Sequence, residues 1–323
     1  MKVARLFSIG DIHLVDEPVP NPRTDESLIR ITTVGLCGSD LHWFSEAGIG
    51  DARLVKPLVL GHEFAGVTST GQRVAVDPAI SCGICGPCRE GNPNLCTNLR
   101  FAGHGEEDGA LREWIAWPKN CLHSLPNELS TSDGCMLEPL GIAIHAVDLG
   151  NIRTGQRIGV FGCGPIGLLI IQTAKAAGAT DVFVTEPLFH RMATAQSLGA
   201  KPWSTGEEVD VAFECAGENE AVEDAIMAVK PGGRVVLVGI PKDDRTSFTA
   251  SIARRKGLTI LLVRRMKFTY PRAINLLQSG QVDVNALITH KFPLEKIGDA
   301  FAIACRREGV KVVVQISPEE SKV

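Results

Sequence analysis

The segment CGICGPCREGNPNLC, residues 82–96, holds four of the ten cysteines in the chain. Their spacing is C-x2-C-x2-C-x7-C, and glycine and proline between the first three permit tight turns. The four thiols belong to Cys82, Cys85, Cys88 and Cys96. Four thiolates so arranged can surround one tetrahedral zinc ion that is closed to water, as structural zinc sites are. Unrelated surface thiols or a redox C-x-x-C pair explain this spacing less well, so we predict a structural zinc lobe over about residues 80–100.

A second set of metal-binding side chains lies on either side of this loop. VGLCGSDLHWF contains Cys37, and LVLGHEFAG contains His62 and Glu63. GCMLEPLGIAIHA adds Glu138, an acid in an apolar run, and such an acid is rarely buried unless it is paired or bound. Taken alone, each residue is more often packed or solvated than a ligand. Together, a thiolate, an imidazole and carboxylates suit zinc with an open coordination position.

A glycine-rich turn stands inside the segment RIGVFGCGPIGLLIIQTAKAAGATDVFVTE, residues 157–186. An apolar strand precedes Gly162, Gly164 and Gly167, an apolar helical stretch follows them, and a second strand ends at Glu186. In this context G-x-G-x-x-G indicates a dinucleotide whose pyrophosphate meets the helix N-terminus. We expect the cofactor to contact Gly162, Gly164, Pro165, Ile166, Gly167, Glu186, Arg191 and Val238.

Glu186 bears on the choice of cofactor. Its carboxylate can accept hydrogen bonds from the ribose hydroxyls and would repel a 2′-phosphate, which favours NAD over NADP. Arg191 nearby keeps NADP open, and a solvated acid at a strand end is the alternative for Glu186.

The elements that must hold this turn follow it in the sequence. Apolar runs at 209–215, 234–239 and 258–263 are typical of parallel strands buried on both faces. The run at 234–239 comes after an expected turn, KPGG, and residues 221–229 have the apolar spacing of a crossover helix. The pattern predicts an α/β fold with a doubly wound sheet.

The length, the net charge and the absence of long apolar segments limit the classes of protein to which this chain can belong. The chain has 323 residues, which is enough for about two domains. Its formal net charge of −4 gives no basic footprint for nucleic acid. The N-terminal residues lack a signal-peptide pattern, and no apolar stretch approaches the ~20 residues of a membrane helix. We therefore expect a cytoplasmic protein whose clustered cysteines bind metal.

Six motifs occur together in one order: CGSDLH, LGHEFAG, the cysteine lobe, EPLGIAIHA, GCGPIG and THKFPLEKIGDAF. In these motifs the chain resembles the zinc-dependent medium-chain alcohol dehydrogenases, and within them the polyol branch of sorbitol and xylitol dehydrogenases. The resemblance implies a GroES-like β-rich catalytic domain over 1–139, an inserted Rossmann domain over 140–264, and a return to the catalytic domain over 265–323.

The resemblance also implies roles for the second metal set. Cys37 and His62 would ligate a catalytic zinc. A glutamate at 138 is the polyol pattern, and Glu63 commonly takes the third ligand place in that branch. Which glutamate touches the metal stays open, and the two could exchange during turnover. Asp40 would hold the far nitrogen of His62.

A proton path is implied beside the zinc. Ser39 would take the hydroxyl proton and pass it through a ribose hydroxyl to His42, and histidine is a common side chain at the end of a proton relay. The alternative for this stretch is an ordinary helix start, with serine and aspartate as cap and first-turn acid.

Substrate contacts are implied at Trp114, as an aromatic wall, and at Arg265, as the partner of a remote hydroxyl. Two positions depart from the family pattern: Met266 follows Arg265 where a tyrosine is usual, and Trp43 follows His42 where sorbitol enzymes often have tyrosine. A smaller or less hydroxylated secondary alcohol therefore fits as well as sorbitol. A further departure is STGEE, residues 204–208, which is too short for the helix that relatives have there.

The expected protein is a zinc- and NAD-dependent dehydrogenase with two zinc ions per chain, oxidising a secondary hydroxyl of a polyol or sugar-like alcohol to a ketone. Threonine, glucose and idonate dehydrogenases of the same branch are alternatives. A catalytically silent NAD(H)-binding sensor is an alternative of another class. The expected partners are a small-molecule alcohol and further copies of the chain, in a homodimer or homotetramer, with no nucleic acid and no membrane. The self-association follows from an apolar strand at 258–263 that would form a sheet edge.

Overall fold

A computed structural model describes residues 1–318 of the chain. The chain forms two compact units. Unit 1 contains Met1–Glu138, Tyr270–Ile274 and the residues from Val284 onward, and unit 2 contains Pro139–Thr269 and Asn275–Asp283.

The second half of this division differs from the predicted boundaries. The return to unit 1 begins at Tyr270 rather than at residue 265, and Asn275–Asp283 belongs to unit 2. The hydrogen bonds explain both differences. The Tyr270 hydroxyl donates to the Val76 carbonyl at 2.7 Å, within unit 1. The amide of Gln172 donates to the Asp283 carbonyl at 3.1 Å and accepts from the Asp283 N–H at 2.7 Å, within unit 2.

Unit 1 is built mainly from strands. Its first segment contains the strands β1 (Lys2–Ser8), β2 (Asp11–Asp16), β3 (Glu26–Gly35), β4 (Gly48–Ile49), β5 (Ala52–Arg53), β6 (Leu58–Val59), β7 (Glu63–Thr68), β8 (Arg73–Val76), β9 (Ala79–Ile80), β10 (Arg100–Phe101), β11 (Trp114–Pro118) and β12 (Leu122–Ser124). The helices of this segment are α1 (Gly38–Glu46), α2 (Gly86–Arg89), α3 (Thr131–Cys135) and α4 (Leu137–Gly150), with 3₁₀ turns at Pro93–Leu95 and Lys119–Cys121. The chain passes from unit 1 to unit 2 within α4.

Unit 2 alternates strands and helices. Its strands are β13 (Arg157–Phe161), β14 (Asp181–Thr185), β15 (Lys201–Pro202), β16 (Val209–Glu214), β17 (Val229–Leu237) and β18 (Thr259–Leu262). Its helices are α5 (Pro165–Ala176), α6 (Phe189–Ser197), α7 (Asn219–Ala228) and α8 (Ala250–Lys256). The remaining elements are α9 (Tyr270–Gln278), β19 (Ile288–Pro293), α10 (Ile297–Cys305) and β20 (Lys311–Gln315), with 3₁₀ turns at Asn285–Leu287 and Leu294–Lys296.

The large sheet of unit 1 has the order β12-β8-β7-β3-β20-β19, and β11 also pairs with β3. β3 is long enough to carry two partners along one edge, with β11 on residues 26–30 and β20 on residues 33–35. On the other edge of β3, Gly35 pairs with Glu63 of β7. Buried apolar side chains of these strands and of α10, among them Ile31, Phe64 and Phe301, form the core of the unit.

The sheet of unit 2 is parallel and has the order β15-β14-β13-β16-β17-β18. In chain order this is 3-2-1-4-5-6, so the predicted doubly wound fold is confirmed. Its central strands are buried on both faces, as their near-continuous apolar sequences predict. The crossover helix is also confirmed, because α7 connects β16 to β17.

Two connections in unit 2 bear on the sequence predictions. The turn expected at KPGG is wrong, because Val229 already pairs with Val209 and the pairing resumes at Arg234 with Val211. The residues between form a bulge inside β17 rather than a turn before it. The prediction of no helix near residues 204–208 is confirmed, since β15 connects directly to β16 without one.

The strand β18 forms one edge of this sheet, as expected for the run at 258–263. Leu262 on it is 75% exposed. Among residues 1–318, no helix is both long and apolar enough to cross a bilayer.

Candidate metal and dinucleotide sites

The loop between β9 and β10 brings its four cysteines together. All four Sγ atoms lie within 4.8 Å of one another. Cys85 Sγ and Cys96 Sγ are 3.9 Å apart, close to the ~3.8 Å edge of a tetrahedron with 2.3 Å zinc–sulfur bonds. This separation is far too long for a disulfide, and the cysteines are free. The donor set fits one structural zinc ion.

Backbone N–H groups of this loop favour the thiolate form of two of its cysteines, Cys82 and Cys85. The N–H groups of Cys88 and Thr97 lower the pKa of Cys85 to about 6. Desolvation and the neighbouring Cys85 raise the pKa of Cys88 to about 12. Crowded thiolates repel one another, and a divalent cation placed among them relieves that repulsion.

A second group of donors forms where α1 and β7 begin. Ligand atoms of Cys37, His62 and Glu63 all lie within 4.8 Å of one another, and His62 and Glu63 are buried. Cys37 immediately precedes α1, and Glu63 is the first residue of β7. One thiolate, one imidazole and one carboxylate are three of the four ligands of a tetrahedral zinc site, so this set fits zinc with an open position.

Asp40 ties the two halves of this group together. Its carboxylate accepts the Cys37 N–H at 2.9 Å and the Gly61 N–H at 3.1 Å. Its Oδ1 lies 3.4 Å from His62 Nδ1. Asp40 is fully buried, so these contacts replace all of its hydration. One carboxylate therefore sets the backbone on both sides of the site and the orientation of the His62 ring.

The charges in this group reinforce one another. Burial opposes ionisation of both Asp40 and His62. The attraction between them, with the N–H groups of Cys37 and Gly61, outweighs burial and holds the pKa of Asp40 below its usual value. Asp40 and Cys37 together hold the pKa of His62 well above its usual range.

Lys311 is a residue of this site that the sequence predictions missed. It forms an ion pair with Glu63 Oε2, and both side chains are 1% exposed. Burial acts to lower the pKa of Lys311, but Glu63 and Cys37 outweigh it and raise the pKa above its usual value. The signal was present in the sequence, because Lys311 is a lone charge in the apolar run VKVVVQI of β20.

Glu138 lies in the first turn of α4 and is 5% exposed. In the part of the chain that the structure describes, it does not belong to the group formed by Cys37, His62 and Glu63. Burial raises the pKa of Tyr270 well above its usual range, and the charges of Asp77, Glu138 and Glu63 add to this effect. Of the two glutamates, the structure brings Glu63 to the donor group.

Ser39 and His42 both lie on α1. The Ser39 hydroxyl is 3.5 Å from His62 Nε2, the ring nitrogen opposite the one that faces Asp40. His42 is three residues further along the helix, and its Nδ1 lies 3.4 Å from Glu46 Oε2. The His42 side chain is 23% exposed, so it has access to water. The residue at the N-cap of the helix is Cys37 rather than serine, and Asp40 is the acid of its first turn.

The glycine-rich turn of unit 2 has the geometry that its sequence predicts. It follows β13, Gly164 caps α5, and Pro165 is the first helical residue. Gly162 has a φ of +98°, and a Cβ on Gly167 would collide with the Gly162 carbonyl. The turn therefore requires glycine at both positions and leaves backbone N–H groups at the helix N-terminus for a pyrophosphate.

Glu186 stands beside this turn at the end of β14. One of its oxygens accepts the Cys163 N–H at 2.8 Å, and the other accepts the Leu188 N–H at 2.9 Å. A carboxylate has about four acceptor sites, so about two remain for ribose hydroxyls. A Cβ on Gly164 would lie 3.7 Å from Arg191 Nη1, so this guanidinium also lies beside the turn. Val238 directly follows β17, and its N–H donates to the Glu214 carbonyl at 2.8 Å.

Trp114 and Arg265 are the two substrate contacts that the resemblance implied. Trp114 pairs with Arg30 in the β11–β3 register, five residues from Gly35, which pairs with Glu63. Five residues along an antiparallel strand span about 17 Å, which is the offset between the Trp114 and Glu63 backbones along β3; Trp114 as a substrate contact stays a prediction. Arg265 lies in unit 2 and has a φ of +56°, which is uncommon for a residue with a side chain.

Known proteins resemble this chain over both units. Residues 23–127 match the alcohol dehydrogenase GroES-like domain, and residues 203–279 match the zinc-binding dehydrogenase family. The chain is 34% identical to a sorbitol dehydrogenase of Bacillus subtilis, with 97% of each chain covered. The chain belongs to the zinc-dependent medium-chain alcohol dehydrogenases, in their polyol branch.

Two further relatives support this assignment. An L-idonate 5-dehydrogenase of Vitis vinifera is 34% identical, over 94% of this chain and 91% of the relative. The solved structure of a zinc-binding dehydrogenase from Sinorhizobium meliloti, bound to NADP, has a TM-score of 0.90 and 30% identity, over 98% of this chain and 99% of the other. The medium-chain dehydrogenase is thus an oxidoreductase that uses zinc and a nicotinamide dinucleotide on a small-molecule alcohol. The predicted family and the GroES-like and Rossmann folds are confirmed.

Proposed function

We propose that the protein oxidises a secondary hydroxyl of a polyol or sugar-like alcohol to a ketone with NAD. The observation that carries this proposal is the gathering of Cys37, His62 and Glu63 into a three-donor set. Zinc held by these residues supplies a Lewis acid that lowers the pKa of the substrate hydroxyl, and NAD supplies the hydride acceptor. The cysteine loop holds a second zinc ion with a structural role.

The residues around the donor set have two tasks. Asp40 fixes the ring of His62, so that Nε2 is the nitrogen offered to the metal. Ser39, whose hydroxyl lies on the Nε2 side, relays the substrate hydroxyl proton, because its oxygen accepts that proton as its own hydroxyl proton leaves. His42 receives that proton further along α1 and releases it to water.

Glu138 is the second carboxylate of the proposed site. Because it stands outside the three-donor group, we assign it the role of holding water or a substrate hydroxyl rather than a permanent ligand place. A carboxylate accepts hydrogen bonds from two neighbouring hydroxyls more readily than a thiolate does. This role predicts that 1,2-diols and polyols react with higher kcat/KM than simple secondary alcohols.

The preference for NAD over NADP rests on Glu186. Its two free acceptor sites suit ribose hydroxyls, and its charge opposes a 2′-phosphate. Arg191 beside Gly164 is the residue that would favour NADP. Glu186→Ala should lower kcat/KM for NAD and reduce the ratio of kcat/KM for NAD to that for NADP. Arg191→Ala is the matched control and should increase this ratio. A wild type that prefers NADP would overturn this assignment.

Substrate identity within the branch is the finer part of the proposal. The 34% identity to an L-idonate 5-dehydrogenase supports a sugar acid as a second candidate. Arg265 is the charge that would bind such a substrate, and its left-handed backbone is a strain of the kind found at functional positions.

We also propose that the protein is at least a homodimer. Leu262 and its neighbours on β18 form an apolar sheet edge, and pairing with a second copy would cover it. Light scattering at micromolar concentration tests this directly, because a monomer would contradict it.

The function is tested by a substrate screen on the zinc-loaded protein. NAD reduction is measured with polyols, sugars, sugar acids, threonine, 2,3-butanediol and 2-butanol. We expect activity on polyols or diols and little on 2-butanol. Equal rates on 2-butanol and 2,3-butanediol would exclude the role of Glu138, and activity on none of the alcohols would favour a silent cofactor sensor.

A further inference from the structure

The ion pair between Lys311 and Glu63 joins two strands of the unit 1 sheet, β20 and β7, over the strand β3 between them. Glu63 begins β7, Gly35 ends β3, and Lys311 begins β20. Gly35 pairs with Glu63 on one side and with Val313, two residues beyond Lys311, on the other. Lys311 therefore reaches Glu63 over the middle strand, from a part of the chain distant in sequence.

Gly35 makes this crossing possible. A Cβ at this position would collide with Glu63 Oε2 and would lie 3.0 Å from the Lys311 side chain. Any side chain at 35 would occupy the space in which the carboxylate and the ammonium meet. The site thus uses three positions together: an acid, a glycine and a lysine.

Lys311 also touches the other side of the donor set. Its Nζ donates to the Leu36 carbonyl at 2.9 Å, and Leu36 directly precedes Cys37. The lysine therefore contacts one donor and the residue before another. Water and salt screen the charges of this pair only weakly, because Lys311 and Glu63 are each 1% exposed.

We propose that Lys311 is a positioning residue that makes Glu63 the weak, exchangeable donor of the catalytic metal site. The inference rests on the proposed function, in which Cys37, His62 and Glu63 hold zinc. A carboxylate that shares its charge with an ammonium attracts a cation less strongly, and the ammonium itself repels the cation. Cys37 and His62 then contribute most of the affinity for zinc, and Glu63 can leave when a substrate oxygen arrives.

A purely structural role for the ion pair predicts something different. Buried ion pairs are weak sources of stability, and well-packed apolar replacements are often neutral or stabilising. A structural pair would change stability with and without zinc by the same amount. A pair that weakens a donor changes the affinity for zinc itself, and this distinguishes the two roles.

The test uses four full-length variants. Lys311→Met, Glu63→Gln and the double variant change the local charge, and Lys311→Arg keeps it. Relative to wild type, Lys311→Met removes one positive charge, Glu63→Gln removes one negative charge, and the double variant restores the balance. Affinity for the zinc ion that depends on Cys37 is measured by competition with a chelator, with the cysteine loop kept loaded.

We expect Lys311→Met to bind this zinc more tightly than wild type by about 10–100-fold, the scale on which neighbours of ligands tune metal affinity. Glu63→Gln should bind it more weakly by a similar factor, and the double variant and Lys311→Arg should lie near wild type. If Lys311→Met does not fold, the double variant must still bind zinc more tightly than Glu63→Gln does.

Two outcomes separate the inference from the proposed function. If wild type holds a Cys37-dependent zinc, but Lys311→Met binds it equally or more weakly, the role of Lys311 is overturned and the site stands. If wild type holds no zinc that Cys37→Ser removes, the proposed metal site itself is wrong.

Discussion

The two donor groups of this protein are built in opposite ways. The cysteine loop takes four identical ligands from fifteen consecutive residues, 82–96, and three of its cysteines are half-buried. The group at Cys37 takes three different ligands from two segments, and a buried acid and a buried lysine from outside the ligand set complete it. The first can be formed by one loop closing on a metal, whereas the second exists only after the unit 1 sheet has formed.

This difference corresponds to a difference in task. Four equal thiolates leave a bound ion no open position and no ligand that leaves easily, so the loop contributes stability. Mixed donors with charged neighbours leave an open position and allow one ligand to be weak. In the proposed function, the unequal ligands of the second group, with Asp40 and Lys311 beside them, make that site the reactive one.

The largest expected effect comes from removing a ligand of the second group. Cys37→Ser should lower kcat/KM by about 10³-fold or more, because the bound ion stabilises the charge that develops in the transition state by several kcal/mol. The cysteine loop and the fold should be unchanged. Steady-state kinetics with circular dichroism check this, and activity within tenfold of wild type would place the chemistry elsewhere.

Glu138→Gln should have the next largest effect. Loss of a carboxylate that handles a proton or holds a reacting hydroxyl should lower kcat by about 10²-fold. Zinc content and NAD binding should remain at wild-type values, because Glu138 lies outside the donor group. A variant with normal turnover would show that the second glutamate has no part in the reaction.

Asp40→Asn should act on the metal rather than directly on the substrate. We expect the Cys37-dependent zinc to bind about 10–100-fold more weakly, the usual cost of losing a partner of a metal-ligating histidine. Asp133 gives a matched control, because it is also a buried acid in the third position of a helix, where it accepts the Ser130 N–H at 2.7 Å. Asp133→Asn should change stability but leave zinc affinity unchanged. Equal losses of affinity in both variants would remove the special role of Asp40.

Cys88→Ser should have the smallest effect on catalysis. Loss of one thiolate from the structural site should lower Tm by about 10 °C, while kcat of the folded fraction stays within about twofold of wild type. Thermal unfolding and kinetics on the same preparation test this. A Tm equal to that of wild type would mean that the loop does not depend on its metal.

The sequence predicted most of what is local. The cysteine spacing predicted the loop, and the strand–turn–helix pattern predicted the glycine-rich turn and the order of the parallel sheet. The bulge at KPGG was missed because glycine and proline signal a turn and a bulge alike. Lys311 was visible as a lone charge in an apolar run, but its contacts were not predictable, for another reason. It contacts Leu36, 275 residues away in the chain, and strand pairing over that distance is not visible in any window of sequence.

The substrate contacts stay predictions. The resemblance implies Trp114 as an aromatic wall, and the structure pairs this residue with Arg30 in the β11–β3 register. That pairing could not be predicted from the sequence, because register depends on partners that the strand sequence does not name.

The measurement that tests this account most directly is the zinc content per chain of wild type, Cys37→Ser and Cys88→Ser, each assayed for activity on the same sample. We expect two zinc ions in the fully loaded wild type and one in each variant, with activity lost in Cys37→Ser and retained in folded Cys88→Ser. A fully loaded wild type with one zinc ion, or activity that disappears with the cysteine-loop zinc and survives loss of the other, would contradict it.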